Sequence, residues 1–323
     1  MGSKLKFDVI TVGSATQDVF LFSKAFKPQT IDRAKYNIFE FGSKIDVDDI
    51  VYETGGSATN TATTFARQGF KAACLTKVGL DSAGREVLHQ LEQEGVSTAL
   101  VKKNQKYHTG YSALLKPYSG DRTILAHRGA AMFFDTADFK LTSVRTDWLL
   151  LTSLNGDLKS LSLLASWAKK NGAKLIINPG SAEIKKPRRL LKILSQADIV
   201  IMNRDEAELL MGYNDPDTLL LRARDSGIGT LVMTDGPNGA WAVQAGFTYR
   251  CGIYKKVRVI DRTGAGDAFC SGFVAAIMRG GDIEQGLTLG SANATSVIGY
   301  IGAKAGLLCN SALNNFKINK RFI

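Results

Sequence analysis

From Ala72 onward the sequence alternates between short apolar runs and stretches of helical period, and no other feature constrains the fold as tightly. Ala72 to Val78, Trp148 to Leu151, Lys174 to Asn178, Ile199 to Met202 and Thr230 to Thr234 predict strands. Ala83 to Glu94, Leu158 to Lys170, Pro187 to Ser195, Asp205 to Met211 and Thr218 to Ser226 predict the helices between them. Strands that are apolar at nearly every position need cover on both faces, and a helix between successive strands makes their pairing parallel. The expected fold class is therefore α/β, a doubly wound, mostly parallel sheet flanked by helices. Phe7 to Gly13 adds a first strand and delivers a loop to the carboxyl edge, where open α/β sheets bind ligands.

Two stretches fit no place in such a sheet. Leu21 to Glu53 shows no long helical period, and its pieces Ile38 to Phe41 and Ile45 to Val47 predict strands. Thr109 to Leu115 and Arg122 to Ala126, joined by Lys116 to Asp121, predict a β-hairpin. Together they predict a small sheet standing off the main one, as insertions at about 19–53 and 107–128 of a single α/β domain spanning 1–323. No internal repeat or low-complexity linker interrupts the chain.

A length of 323 residues with 45% hydrophobic content suits a sizeable buried core. The net charge of +11 raises nucleic-acid binding. Its densest runs, Lys185 to Arg189 and Lys255 to Arg258, carry no interleaved aromatic platform, so the excess reads as solvated charge that attracts anionic nucleotides. No apolar run approaches the roughly 20 residues of a membrane span. Gly2 raises N-myristoylation, but Lys6 stands where that motif wants Ser or Thr. A cytoplasmic protein is expected. The four cysteines are far apart and lie near none of the histidines, so no zinc or disulfide framework is visible.

The chemistry concentrates in the turns. Asp261-Arg262-Thr263-Gly264-Ala265-Gly266-Asp267-Ala268-Phe269 follows an apolar run, Val257, Val259 and Ile260, that predicts a strand, and it enters a helix marked by Phe269, Phe273 and Ile277. Glycines flanking an alanine let a ligand approach the backbone, and the first helical amides lack intrahelical partners, so Gly264, Ala265 and Gly266 form a candidate anion hole. Asp267, in the first turn, stands where a carboxylate can take the proton of a hydroxyl attacking phosphorus. Farther upstream, Gly55 and Gly56 open a second helix that Ser57 can cap, with Asn60 on its first turn facing the same mouth. Asn203 reads as an N-cap, and Asp18 as a turn residue after the first strand.

The string DRTGAGDAF resembles the C-terminal signature of the ribokinase-like (PfkB) carbohydrate kinase family, and Gly55-Gly56-x-x-x-Asn60 resembles its N-terminal one. The resemblance covers essentially the whole chain. It implies Asp267 as catalytic base, the Gly264–Gly266 turn as anion hole, and Asp261 and Thr263 as holders of a monovalent cation, K⁺. It implies sugar contacts from Asp18, Gly55, Gly56 and Asn60, with Ser57 standing where ribokinases proper carry lysine, and Thr16 where the family often has Asn. On the ATP side it implies Asn203 and Glu206, through an N-x-x-E element, for phosphate and Mg²⁺-bound water. Thr234 and Gly236 match a T-x-G element, Asn293 falls at the adenine side, and Gly302-Ala303 matches the G-A turn beside the adenine and cation sites. Gly79-x-Asp81-x-x-Gly84 is shared and reads as structural. The small sheet becomes a lid, which also allows a homodimer through it. Neither a G-x-x-x-x-G-K-[ST] loop nor a G-x-G-x-x-G after the first strand occurs. The expected activity is Mg²⁺-requiring transfer of the γ-phosphoryl group of ATP to a hydroxymethyl oxygen of a sugar. The alternatives are a nucleoside kinase and a non-catalytic sugar or nucleotide sensor on the same scaffold.

Overall fold

The structure, a computed structural model, describes residues 4–118, 122–135, 138, 141–254, 257–309 and, as backbone, 318–322. Strand β1 (Leu5–Val12) runs into β2 (Thr16–Phe22). After the short hairpin of β3 (Gln29–Ile31) and β4 (Ala34–Tyr36), β5 (Asp49–Gly55) leads straight into α1 (Ser57–Arg67). Next come β6 (Ala72–Leu75), β7 (Lys77–Gly79), α2 (Ser82–Gln93) and β8 (Lys102–Asn104), then β9 (Gly110–Lys116) and β10 (Thr123–His127). Regular alternation follows in β11 (Val144–Leu151), α3 (Leu158–Lys170), β12 (Lys174–Ile177), α4 (Ser181–Ile184), α5 (Pro187–Leu194) and β13 (Ile199–Asn203). It continues through α6 (Arg204–Met211), α7 (Pro216–Asp225) and β14 (Thr230–Thr234). The chain closes with β15 (Ala240–Gln244), β16 (Phe247–Cys251), α8 (Ala265–Met278), α9 (Ile283–Val297) and β17 (Ile318–Phe322).

Nine strands form the main sheet in the order β17-β16-β15-β14-β13-β12-β11-β1-β6. From β6 to β14 the pairings are parallel, and from β14 to β17 antiparallel. The two-residue period of each strand feeds two cores. Leu149 and Leu151 reach one face and Leu150 the other; Leu231 and Met233 do the same against Val232. On the first face Leu161 of α3, Leu190 of α5, Leu210 of α6 and Leu219 of α7 cover the sheet. On the second, Phe65 of α1, Phe273 of α8 and Leu287 of α9 do so. The doubly wound expectation is met, and replacing the fully buried Phe273 by alanine would cost about 3–5 kcal/mol.

Several local expectations are corrected. Ala72 to Val78 is not one strand: Thr76 turns its hydroxyl onto the Gly13 carbonyl at 2.7 Å, and β7 leaves the main sheet to pair with β8. Ile38 to Phe41 and Ile45 to Val47 form no strand; Phe39 packs edge-on against Phe26, and the Asp46 carbonyl accepts from the Ser23 hydroxyl at 2.7 Å. Val257, Val259 and Ile260 form no strand either. The Ile260 and Asp261 amides both donate to the Ile298 carbonyl, which ties this segment to the end of α9 rather than to the sheet. The basic pair Lys255 and Lys256 lies outside the described residues, as do residues 119–121 of the expected hairpin turn.

The small sheet has the order β10-β9-β2-β5, parallel only between β2 and β9. Phe20, Phe22 and Leu114 bury its inner face, with Val51 and Ile301 packed against them. Ile301 belongs to the loop after α9, so the small sheet rests on the same corner of the main domain as the Asp261–Asp267 turn. Among the described residues no helix is long and apolar enough to cross a membrane.

Candidate active site

Gly264 caps α8 with φ +76, and a Cβ there would meet Ala303 at 2.3 Å, so the turn requires glycine twice over, for its conformation and for its packing. A Cβ on Gly266 would meet nothing within 4 Å, which leaves the amide edge open to a ligand. Asp267 follows in the first turn and accepts a hydrogen bond from Asn60 Nδ2 at 2.8 Å. Burial pushes the Asp267 carboxyl above its ordinary range, while the Asn60 bond and the Lys304 charge pull it back and Asp18 adds to the rise. Asn60 is buried, and its Oδ1 has no hydrogen-bond partner among the described residues.

The two glycines that open α1 bring a second carboxylate to the same mouth. Gly56 takes φ +96 against the Ser14 carbonyl, where a Cβ would come within 2.5 Å. At Gly55 a Cβ would meet Asp18 Oδ2 at 2.0 Å, so the Asp18 carboxylate lies on the bare backbone of β5. Asp18 is an interior residue of β2 rather than a turn residue, held by Thr16 Oγ1 at 3.0 Å. Burial raises its carboxyl, opposed by hydrogen bonds from Ser112 and Thr16 and by Lys304. Ser57 does not cap α1, whose cap residue is Gly56 without a side-chain bond. Its hydroxyl joins Thr152 Oγ1 at 2.7 Å and Ser14 Oγ at 3.2 Å, a cluster of hydroxyls at the carboxyl ends of β1 and β11.

Beneath both carboxylates lies Lys304, 3% exposed, donating to Thr54 Oγ1, which in turn donates to Gln90 Oε1. Burial brings its ammonium down to about 8, against the opposing pull of Cys74, Asp18 and Glu53. Glu53 packs over Gly302, where a Cβ would meet its Cγ at 2.8 Å, and burial raises its carboxyl. Sequence reading missed Lys304, Thr54 and Thr152. The signal for Lys304 was its setting, Gly302-Ala303-Lys304-Ala305-Gly306, since a lysine among residues too small to shield it is packed against something larger.

Along the same edge, Asn203 and Thr234 are register partners at the ends of β13 and β14. Asn203 Oδ1 accepts from the Glu206 amide at 2.8 Å and Glu206 Oε2 from the Asn203 amide at 3.0 Å, a reciprocal capping box. Burial raises the Glu206 carboxyl, with the Asn203 amide opposing and Glu183 adding to the rise. Gly236, φ +47, opens the turn after β14. Asn293 is a correction. It is fully buried, donating to the Ala268 carbonyl at 2.8 Å and accepting from the Leu308 amide at 2.9 Å, so its amide braces α8 and the chain after α9 instead of facing a nucleotide.

Two metal ions, Mg²⁺ and K⁺, follow from the sequence reading. The second oxygen of Glu206 takes no part in the capping box and suits a hydrated Mg²⁺; among the described residues no cluster of three or more His, Cys, Asp or Glu side chains could hold an ion directly. The K⁺ expectation meets a different environment. Asp261 is buried; its Oδ1 accepts from Thr263 Oγ1 at 3.0 Å, its Oδ2 from the Gly302 amide at 3.2 Å, and Arg122 Nε lies 3.5 Å from Oδ1. That carboxylate already has a cation.

A helix start with open amides and a carboxylate in its first turn stands at the carboxyl edge of a doubly wound sheet, where open α/β proteins bind their ligands. The sequence pattern of the pfkB family carbohydrate kinases matches residues 7–308, and the chain belongs to that family. It is similar to the ribokinase of Haemophilus influenzae, 30% identical over 263 residues that cover 78% of this chain and 83% of that protein. Among solved structures, Arabidopsis thaliana ribokinase complexed with ribose and ATP matches with a TM-score of 0.78 at 19% identity, over 96% of this chain and 97% of that one. Adenosine kinase from Sinorhizobium meliloti matches with a TM-score of 0.76 at 25% identity, over 92% and 95%. This protein is thus an ATP-dependent phosphotransferase, a sugar or nucleoside kinase.

Proposed function

We propose that the protein transfers the γ-phosphoryl group of ATP to a hydroxymethyl oxygen of a sugar, with Asp267 as the base. The observation that carries this reading is the bond from Asn60 to Asp267, which joins two glycine turns 207 residues apart. It aims one oxygen of the base and leaves the other for the acceptor's hydroxyl. Asp18, Gly55, Gly56 and Asn60 hold the acceptor, with Ser57 shaping the floor through its bond to Thr152. The Gly264–Gly266 amides receive the charge that builds on the phosphoryl oxygens. Asn203, Glu206, Thr234 and Gly236 form the ATP side; Mg²⁺, held through water at Glu206, would neutralise phosphate charge when bound. Asp267→Asn keeps the shape and removes the base, so ATP consumption with the best acceptor of a sugar and nucleoside panel should fall on the order of 10²–10⁴-fold. Normal turnover by the purified variant would dismiss this assignment.

A nucleoside acceptor is the second reading, favoured by the adenosine kinase neighbour and by Ser57 at the lysine position of ribokinases proper. The same panel separates the two. The small sheet serves as the lid over the acceptor. Its outer face, where Tyr52, Tyr111 and Leu125 are exposed, joins two copies into a homodimer.

A further inference from the structure

The hairpin of β9 and β10 puts two cations on the chain segment that enters the anion-hole turn. Lys116, the last residue of β9, donates through Nζ to the Ile260 carbonyl at 2.9 Å. Arg122, just ahead of β10, brings Nε to 3.5 Å from Asp261 Oδ1, with the Asp261 side chain wholly shielded and the Arg122 side chain 17% exposed. Asp261 in turn fixes Thr263 and Gly302, the residues immediately before Gly264 and Ala303, whose contact sets the turn. The neighbouring Ile298 carbonyl is taken by two amides, at 2.7 Å and 3.2 Å. An alkali cation at Asp261 would share one carboxylate with a guanidinium, at a separation where like charges repel.

We propose that the small sheet supplies the cation that organises this turn: Arg122 is a positioning residue acting through Asp261, and turnover needs no potassium. The inference rests on the reading of Gly264–Gly266 as the anion hole. It ties closure of the lid to completion of the hole, because the charge that steadies the turn arrives on the lid itself. It also reassigns Asp261 and Thr263 from ion ligands to receivers of a protein cation.

The test compares wild type, Arg122→Ala and Arg122→Lys in potassium chloride and in tetramethylammonium chloride at equal ionic strength, by ATP consumption and by thermal melting. Wild-type rates should agree within about twofold between the salts, with no potassium-specific rise in melting temperature. Arg122→Ala should lose on the order of tenfold or more in the potassium-free salt, and Arg122→Lys, which keeps the charge, should recover most of it. A tenfold activation of wild type by potassium, or a potassium-specific stabilisation on the order of 5 °C, would overturn the inference. So would an Arg122→Ala enzyme as active as wild type without potassium. A chain that consumes no ATP with any acceptor would count against the kinase assignment instead, and the melting comparison, which needs no substrate, would then decide this one alone.

Discussion

Asn60 and Lys304 both favour the ionised form of the Asp267 carboxylate, and each makes a separate forecast. The Asn60 amide stabilises the ionised form of Asp267, so deleting it in Asn60→Ala lets burial raise that carboxyl further. A base works only when deprotonated; the acid limb of kcat/KM should therefore move to higher pH in the variant, and an unmoved limb would refute the role. Lys304 is the reverse case, a cation whose proton is held less well in the native state than in the unfolded chain. Between pH 8 and the ordinary lysine value of 10.5 the unfolded chain binds a proton that the native state has shed, so stability rises with pH across that window. Lys304→Met should flatten that rise in pH-dependent melting, and a slope that survives would show the ammonium titrating normally. Asp267 and Asn60 were legible in the sequence because glycine turns mark where a backbone is bare; Asp18, read from the residues as a turn residue, came only from the resemblance and lies inside β2. Lys304 was not legible, because its partners Thr54 and Glu53 sit 250 or so residues away and carry no local signature.

At the scale of elements, helices with a strong apolar period were legible nearly to the residue: α3 runs over Leu158–Lys170 as read, because each turn buries a leucine or alanine. Elements whose existence depends on a partner were not. Val257 to Ile260 has strand composition, but the amide at its end, Ile260, and that of Asp261 donate to the Ile298 carbonyl, so pairing overrode propensity. β15 and β16 went unread because their turn is Ala245-Gly246, with Ala245 at φ +49 where asparagine or glycine would have announced a tight hairpin. The start of α8 gives the prediction at this scale. Gly264→Ala adds a Cβ at φ +76 that would meet Ala303 at 2.3 Å, so melting should show a loss of about 1–3 kcal/mol and activity should fall with it. A variant as stable and active as wild type would mean that the turn is looser than its contacts indicate.

Across the whole molecule the main sheet was legible as a class, while its antiparallel edge and the strand membership of the small sheet came only with pairing. The small sheet leaves Ile50, Tyr52, Tyr111 and Leu125 exposed. The strand period turns these side chains to the face opposite Phe20 and Leu114. Tyr52→Lys with Leu125→Glu should convert a dimer to a monomer in sedimentation at micromolar concentration, with the fold retained by circular dichroism. A wild type that sediments as a monomer would remove the dimer proposal. The long reach between Asn60 and Asp267 has a consequence for synthesis. At roughly 5–20 residues per second the ribosome needs about 10–40 s to extend the chain across the 207 residues between them. The residues proposed to hold the acceptor are therefore made well before the proposed base, and Asn60 waits that long for its partner.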